Sequence, residues 1–329
     1  MTPDLSSRRA FLRALGAAAA ANVAGAGLMA PAPAAAAATM AGTQAPGWYR
    51  FPLGAFEVTA ISDGTVDLAP ATLLKAPAAK TMQRLAQAFL ASPVETSVNA
   101  FLVNTGARLV LIDAGAGTLS APTLGKLAGN LRDSGYRPEQ VDDVFLTHLH
   151  PDHAGGLLAD GGRAFPQATV HADRREADYW LNETTLTRVS ADRKALVRKA
   201  MAALQPYAAG GRFQTFTADA ELVPGVRSRA SYGLTPGHTS YVVESKGQRM
   251  TAIGDLVQVG VVQFADPSVG AAFETDAKAA AAARTEAFKH AAKEGDLVAA
   301  AHLPFPGVGH LRSVFRGYEW LPLNYTRLH

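Results

Sequence analysis

Cysteine is absent from this sequence of 329 residues. Its absence excludes disulfide bonds, thiolate metal ligands and a cysteine nucleophile, so a metal site here must use nitrogen and oxygen ligands. A strong excess of one charge is also missing. The formal net charge is +3, and residues 1–40 contribute +2 of it through three arginines and one aspartate. The remaining chain is close to neutral, which argues against nucleic acid or an acidic membrane surface as a partner.

Two further absences narrow the class of protein. No repeat of solenoid length occurs, and no Gly-x-Ser-x-Gly motif offers a serine nucleophile. Hydrophobic residues make up 48% of the chain, which is ample for a sizeable core. No linker is long enough to require a second domain, so one α/β domain over residues 41–329 is predicted.

Residues 1–40 have the composition of a targeting segment. The run from Ser6 to Arg13 contains two adjacent arginines and resembles a twin-arginine export signal, and an apolar stretch and an Ala/Pro tract with Ala-x-Ala sites follow. The alternative is a retained hydrophobic anchor helix, which the glycines and prolines of this segment disfavour. We therefore expect the segment to be removed and the protein to be periplasmic or secreted, with no stable membrane partner.

The most informative stretch of the sequence is Thr147–Gly156. It places four potential metal ligands, His148, His150, Asp152 and His153, within six residues, although the chain has only nine histidines. A short apolar run of strand type precedes it. If the chain stays extended, the first two imidazoles point to the same side and can hold one ion, since strand side chains alternate. Asp152 and His153 follow on a turn, before a helix predicted to begin at residue 155, and are available to a second ion.

Three other ligand-type residues follow apolar segments of strand length. His238 lies in a Pro-Gly turn before a predicted strand, Asp255 follows the strand-like residues 249–253, and His302 follows residues 297–301. Taken singly, each has an ordinary interpretation as a loop histidine or a turn carboxylate. Strand ends that meet at one edge of a sheet would bring them together.

Asp113 also stands at the end of a predicted strand, beside glycines. It can be a turn residue, or it can support a metal ligand by hydrogen bonding. The spacing alone does not decide between these roles. The helical periodicity predicts helices over residues 81–91, 123–134, 173–181, 191–207 and 275–293.

The order of these ligand-type residues resembles the signature of the metallo-β-lactamase superfamily, His-x-His-x-Asp-His followed by a His, an Asp and a final His. The resemblance covers residues 45 to 329 and implies an αββα sandwich with two divalent metal ions at one edge of its two sheets. The ligands that it implies are His148, His150 and His238 for one ion, Asp152, His153 and His302 for the other, and Asp255 as a bridge between them.

Within that superfamily the sequence is most similar to the methyl parathion hydrolase group. The closer match is carried by residues 97–100, 241–245, 262–269 and 301–310. It implies an exported protein for which a homodimer is a common assembly. Zn²⁺ is the metal that His and Asp ligands of this kind favour, with Mn²⁺, Co²⁺ and Fe²⁺ as alternatives.

The chemistry implied is hydrolysis. Two cations acidify a shared water, and the resulting hydroxide attacks an ester-like centre whose oxygen the ions polarise. Asp255 would orient the hydroxide and take up a proton, which makes it the catalytic candidate. The predicted substrates are small apolar lactones and aryl esters, with organophosphate triesters as a further class.

Five side chains are candidates for substrate contact. Trp180, Phe101 and Phe264 would form an aromatic wall, with core packing as the alternative for each. Leu119 and Leu196 stand where the closest organophosphate hydrolases tend to carry aromatic residues, which favours lactones and aryl esters over phosphotriesters as substrates.

Four other functions share parts of this pattern. A nuclease of the superfamily is disfavoured because it would need an added domain and a basic surface, whereas the mature chain is close to neutral. A true β-lactamase is disfavoured because two branches need a cysteine ligand and the third lacks the bridging carboxylate. A glyoxalase II-like thioesterase shares the seven ligands, but usually has a further helical domain after the last histidine, where this chain has 27 residues. A non-catalytic zinc-binding protein of the export compartment remains an alternative from a different class.

Overall fold

A computed structural model of the protein describes residues 38–328. The predicted export signal, except for its last three residues, lies outside the described residues. Within the part that is described, no helix combines the length and apolar character needed to cross a bilayer. Residues 45 onward form the compact unit considered below.

Fourteen of the strands form two sheets of seven strands each. Sheet A has the order β1-β2-β3-β4-β5-β8-β9, and sheet B has the order β10-β11-β12-β13-β14-β15-β16. The first eight strands are β1 Trp48–Leu53, β2 Phe56–Leu68, β3 Val94–Asn104, β4 Leu109–Ile112, β5 Asp143–Phe145, β6 Leu158–Ala159, β7 Gly162–Arg163 and β8 Thr169–Asp173. The remaining strands are β9 Phe213–Phe216, β10 Glu221–Val223, β11 Val226–Ala230, β12 Thr239–Ser245, β13 Gln248–Ala252, β14 Leu297–Ala299, β15 Val308–Ser313 and β16 Tyr318–Pro322.

The five helices predicted from periodicity are present, with shifts of up to four residues at their ends, and three short helices over residues 70–73, 183–188 and 260–263 were not predicted. The helices are α1 Pro70–Leu73, α2 Ala78–Gln87, α3 Leu127–Asp133, α4 Pro151–Ala154, α5 Arg174–Trp180, α6 Glu183–Arg188, α7 Ala191–Ala209, α8 Gly260–Gln263 and α9 Ala277–Glu294. The bounds of α9 have a clear local cause. The Asp276 side chain accepts hydrogen bonds from two backbone N–H groups of the first turn, and Gly295 ends the helix in a left-handed conformation at φ 72°.

The core is divided into layers. Phe51, Phe145 and Tyr241 belong to the cluster that fills the space between the two sheets. Residues of α3 and α7 pack with strands of sheet A in a second cluster, and residues of α9 pack with strands of sheet B in a third. These layers confirm the predicted αββα sandwich, because each sheet buries one face against the other sheet and the opposite face under helices.

One edge of the sandwich positions the functional residues. β4 and β5 are parallel neighbours in sheet A, and β13 and β14 are parallel neighbours in sheet B. Parallel strands deliver the residues that follow them to the same edge. Asp113, the His148–His153 segment, Asp255 and His302 each follow one of these four strands, and His238 precedes β12, which is antiparallel to β13. The prediction that strand ends bring these residues together is therefore confirmed.

Candidate metal centre

The first ligand segment differs from its predicted geometry in two details. β5 ends at Phe145, before the histidines, yet His148 Nε2 and His150 Nδ1 still lie 2.9 Å apart. Asp152 and His153 lie inside α4, which begins at Pro151, four residues earlier than predicted. Proline favours the first position of a helix because its fixed φ suits that position and its missing N–H costs no helical hydrogen bond. The early helix groups Asp152 and His153 with His302, although the His153 ring centroid lies only 4.1 Å from that of His148.

Six side chains form two groups with the spacing of metal ligands. Within each group the candidate ligand atoms lie within 4.8 Å of one another. The first group is His148, His150 and Asp255, and the second group is Asp152, His153 and His302. Asp255 reaches both groups, because its Oδ1 lies 3.0 Å from His153 Nε2 and 3.1 Å from His302 Nε2, and its Oδ2 lies 3.7 Å from His148 Nε2.

His238 lies beside the first group. Its ring centroid is 5.3 Å from that of His148. The backbone N–H of Asp255 donates a hydrogen bond to its Nε2 at 3.1 Å. The seventh predicted ligand is therefore next to the centre, with its Nε2 directed at the segment that carries the carboxylate shared by the two groups.

Four imidazoles are oriented by hydrogen bonds at Nδ1, and for His148, His153 and His302 this leaves Nε2 turned toward the candidate ligand groups. The partners are Thr147 Oγ1 for His148 (3.0 Å), Asp113 Oδ2 for His153 (2.8 Å), Ser231 Oγ for His238 (2.8 Å) and the Ser97 carbonyl for His302 (3.1 Å). Metal-binding histidines commonly use the second ring nitrogen in this way, because the hydrogen bond fixes both the tautomer and the ring orientation.

Asp113 supports a ligand, which settles the two roles that the sequence left open. Its Oδ1 accepts the Thr147 backbone N–H at 2.8 Å, and its Oδ2 lies 2.8 Å from His153 Nδ1. The residue has a positive φ of 61°, a conformation that Asp and Asn tolerate better than most residues. Asp113 therefore joins the end of β4 to the loop after β5 and fixes the His153 ring.

Burial keeps three of the imidazoles neutral. It lowers the pKa of His150 and of His238 to about 4, and it lowers the pKa of His148 well below its ordinary value. Neighbouring imidazoles lower the pKa of His148 further. A neutral imidazole has a free lone pair, which is the form that binds a metal ion.

The second group has the opposite electrostatics. Burial opposes charge on His302, but the carboxylates of Asp255 and Asp152 outweigh it and raise the pKa of His302 to about 9. The pKa of His153 is raised well above its ordinary value in the same way, against burial, by Asp255 and Asp113. Burial alone would raise the pKa of Asp255, but the imidazoles of His302 and His153 hold it well below its usual range. This part of the site stabilises positive charge.

These residues fit two divalent cations. His153 Nε2 and Asp255 Oδ1 are buried and 3.0 Å apart, yet they lack hydrogen-bond geometry to each other or to another group. A cation between them would satisfy both atoms at once. The donor set of imidazole nitrogen and carboxylate oxygen is the one that zinc and similar ions accept.

Glu176 is a functional residue that sequence reasoning missed. It is buried in α5, and its two carboxylate oxygens accept backbone N–H groups from Leu149 at 3.0 Å and from Gly237 at 2.9 Å. Leu149 lies between two candidate ligands and Gly237 precedes a third, so one carboxylate ties together the two loops. Burial raises the pKa of Glu176 to about 7. Nothing in the sequence distinguishes Glu176 from an ordinary glutamate on a helix.

The loop that carries Asp255 is held in place on both sides. Gln258 Nε2 donates to the Asp255 carbonyl at 2.7 Å, and Gln263 Oε1 accepts the backbone N–H of Gln258 at 2.8 Å. Gly254 has φ 51°, and a Cβ there would lie 2.7 Å from His238 Nε2. The glycine is thus needed both for the backbone turn and for the close approach of the imidazole.

The predicted substrate-contact residues occupy different places. Trp180 is 1% exposed and its ring centroid lies 5.4 Å from that of His150. Leu119 and Leu196 are half-buried and pack against the cluster under sheet A. Phe101 is 2% exposed and belongs to the core between the sheets. Of its two predicted roles, the structure therefore favours core packing over substrate contact.

Two apolar regions adjoin the centre. On the His150 side, Phe273 is 42% exposed, and its ring centroid lies 6.0 Å from that of His150; no sequence pattern indicated this residue. On the His302 side, a cavity of about 480 Å³ is lined by Phe264, Leu303 and Trp320 among others. The assignment of Phe264 as a substrate contact stays a prediction.

Comparison with protein families gives a match over residues 93–302 to the model described as "Metallo-beta-lactamase superfamily". The chain belongs to the metallo-β-lactamase superfamily. Together with the two ligand groups, this membership identifies a metal-dependent hydrolase. A search of curated proteins found no significant match.

Solved structures of this superfamily are similar over nearly the whole chain. The hydrolase AbOPH is 38% identical with a TM-score of 0.83, covering 87% of this chain and all of its own. AidC, a dizinc quorum-quenching lactonase solved with a product, N-hexanoyl-L-homoserine, is 25% identical with a TM-score of 0.79, covering 85% of this chain and 99% of its own. A probable metal-dependent hydrolase from Staphylococcus aureus, 18% identical with a TM-score of 0.66, covers 84% of this chain and all of its own, and shares the fold.

Proposed function

We propose that this protein is a two-metal lactonase and arylesterase of the methyl parathion hydrolase type, with phosphotriesters as poorer substrates. The observation that carries the proposal is the position of Asp255, whose carboxylate reaches both ligand groups at one buried edge of the sandwich. The dizinc lactonase AidC, at 25% identity, supports a lactone substrate, and AbOPH, at 38% identity, supports hydrolysis.

The residues present define how such a centre would work. His148, His150 and His238 would hold one cation, and Asp152, His153 and His302 the other, with Asp255 shared. Bound there, the cations would lower the pKa of a water and polarise the substrate carbonyl.

The Asp255 carboxylate lies between the two groups, with Oδ1 3.0 Å from His153 Nε2 and Oδ2 3.7 Å from His148 Nε2, where it would orient the attacking water and accept its proton. The water oxygen bonds to the carbonyl carbon, the ester or lactone C–O bond breaks, and the proton passes to the departing oxygen. Burial of the carboxylate excludes bulk water from this transfer, because Asp255 is only 3% exposed.

The test is a substrate panel with and without metal. The purified protein is assayed on a chromogenic aryl ester, an acyl lactone, a thioester and methyl parathion, before and after removal of metal by a chelator. We expect lactone and aryl ester turnover to be lost on chelation and restored by Zn²⁺ or Mn²⁺. Thioester turnover above ester turnover would favour the thioesterase, and tight metal binding with no turnover would favour a binding protein.

Substitution of ligands gives a second test. His150→Ala and Asp255→Ala each should lower kcat/KM by more than a hundredfold while the far-ultraviolet circular dichroism is retained, because each removes a contact to the centre. His290→Ala is the matched control, since His290 lies on α9 away from the ligand groups and its side chain is partly exposed. Near-normal rates in either ligand variant would contradict the two-metal mechanism.

We also propose that the protein is exported by the twin-arginine route. The support is the leader sequence alone, with Arg8 and Arg9 before an apolar stretch. Replacing both arginines by lysine in the full chain should leave the protein inside the cell. Equal export of this double variant and the natural sequence would contradict the route.

A further inference from the structure

An apolar cavity adjoins the candidate metal centre on the His302 side. Its volume of about 480 Å³ lies within the range of pockets that hold small organic ligands. Most of its wall is aliphatic or aromatic. The apolar side chains that line it include Val94, Val259, Val261, Phe264, Leu303, Phe305, Tyr318 and Trp320.

The polar end of this cavity is connected to the candidate ligands. His302 itself lines the cavity, and its Nδ1 bonds to the carbonyl of Ser97, a second lining residue. Gln258 is a third lining residue, and it donates to the Asp255 carbonyl. A molecule whose reacting carbonyl lies at the centre can therefore extend an apolar substituent directly into the cavity.

The wall of the cavity is preformed. The Phe264 ring stacks on Trp320 with 5.7 Å between centroids and 6° between planes, and it also contacts Phe288 of the core at 5.0 Å. The backbone N–H of Tyr318 donates to the Phe264 carbonyl at 2.8 Å. A rigid apolar wall can bury an alkyl chain without losing much side-chain entropy on binding.

The cavity opens at the surface beside Leu90, which lines it and is 41% exposed. An aliphatic chain that enters from the centre therefore has a direct exit toward solvent at Leu90. Thr96 and Glu95 supply the few polar atoms along this path.

We propose that this cavity binds the acyl chain of the substrate, so that the enzyme prefers esters or lactones whose carbonyl side carries a medium-length alkyl chain. This proposal rests on the function proposed above. During hydrolysis the chain stays in the cavity with the new carboxylate product, while the departing alcohol leaves on the side of His150, Trp180 and Phe273.

The test varies the chain and keeps the leaving group constant. The metal-reconstituted enzyme is assayed on 4-nitrophenyl acetate, butyrate and octanoate. Each methylene buried should raise kcat/KM by about fourfold. Val261→Phe fills the cavity, so the octanoate-to-acetate ratio of kcat/KM should fall at least tenfold. Val242→Phe is the matched control, since Val242 lines a different cavity on sheet B.

A second variant guards against misfolding of the first. Val261→Ala widens the cavity and should shift the preference toward longer chains. Unchanged ratios in both Val261 variants would overturn the proposal. So would a loss of the chain-length preference in Leu196→Phe alone, because that result would place the chain under sheet A.

Binding without turnover separates this proposal from the proposed function. Octanamide binding to the metal-free protein is measured by calorimetry in the natural sequence and in Val261→Phe. At least fivefold weaker binding in the variant supports the cavity assignment even if no ester is hydrolysed, in which case the proposed function alone fails. Equal binding in both proteins, or none in the natural sequence, overturns the cavity assignment.

Discussion

Replacement of Asp113 by asparagine should weaken metal binding although Asp113 is not itself a candidate ligand. The carboxylate accepts hydrogen bonds from the Thr147 backbone N–H at 2.8 Å, the Thr147 hydroxyl at 2.9 Å and His153 Nδ1–H at 2.8 Å. An asparagine amide has the same shape but only one acceptor oxygen. It also tolerates the positive φ of this position, so backbone strain does not confuse the comparison.

The single amide oxygen cannot satisfy both the Thr147 N–H and His153 Nδ1–H, because these donors bond to different oxygens of the Asp113 carboxylate. If its oxygen takes the Thr147 N–H, its NH₂ group faces His153 Nδ1 and favours the tautomer with the proton on Nε2, which removes the lone pair that a metal needs. If it takes His153 instead, the Thr147 N–H is buried without a partner. A lost hydrogen bond to a charged group costs about 1.5–3 kcal/mol, which corresponds to a roughly tenfold to hundredfold loss of affinity.

The assay is metal competition against a chromogenic chelator, followed by kcat/KM on an aryl ester at limiting and at saturating metal. We expect one metal equivalent to bind about tenfold to hundredfold more weakly, with partial recovery of activity at high metal. Asp142→Asn is the control. Asp142 directly precedes β5, and its side chain accepts a single backbone N–H, from Leu109 at 2.8 Å. Affinity within twofold of the natural sequence for Asp113→Asn would refute the role of this hydrogen bond.

Two further predictions concern stability. The buried Tyr207 hydroxyl donates to the Leu157 carbonyl, and burial raises its pKa from 10.0 to about 12. The stability that Tyr207 contributes is therefore fully present below pH 10 and is lost as the pH rises toward 12. The difference in unfolding free energy between the natural sequence and Tyr207→Phe should narrow above pH 10 in denaturant titrations. A constant difference would contradict this. Arg284→Met removes the closer of the two cations that pair with the buried Glu274 carboxylate, leaving only Lys75 Nζ at 3.9 Å, and should cost about 3–5 kcal/mol in unfolding free energy. Adding Glu274→Leu should recover part of that loss, and no recovery would contradict the pairing.

The candidate ligands could be predicted from the sequence because coordination chemistry limits which side chains can bind a metal ion. The clustering of His148 and His150 beside Asp152, and the later Asp255 and His302, predicted groups that the fold brings together. The predicted detail failed where local geometry depends on a helix start, since α4 begins at Pro151 and includes Asp152 and His153.

The supporting residues could not be predicted, because their roles depend on contacts between distant segments. Glu176 has the sequence context of a surface residue of a helix, yet it lies in the interior and bonds to two loops that are 88 positions apart in the chain. Asp113 could be assigned only when the distance to His153 was known. Phe101 was assigned to the wrong environment, because alternation along a strand shows that one face is buried but not which layer covers it.

By itself, the sequence determined the chemistry available to this protein: no thiolate, a near-neutral mature surface, and seven nitrogen and oxygen donors in a fixed order. Only the tertiary structure decided how these donors are grouped, which carboxylate reaches both groups, and where apolar space adjoins them. The physical reason is that donor identity is a property of single side chains, whereas grouping depends on four strand ends in two sheets meeting at one edge of the sandwich.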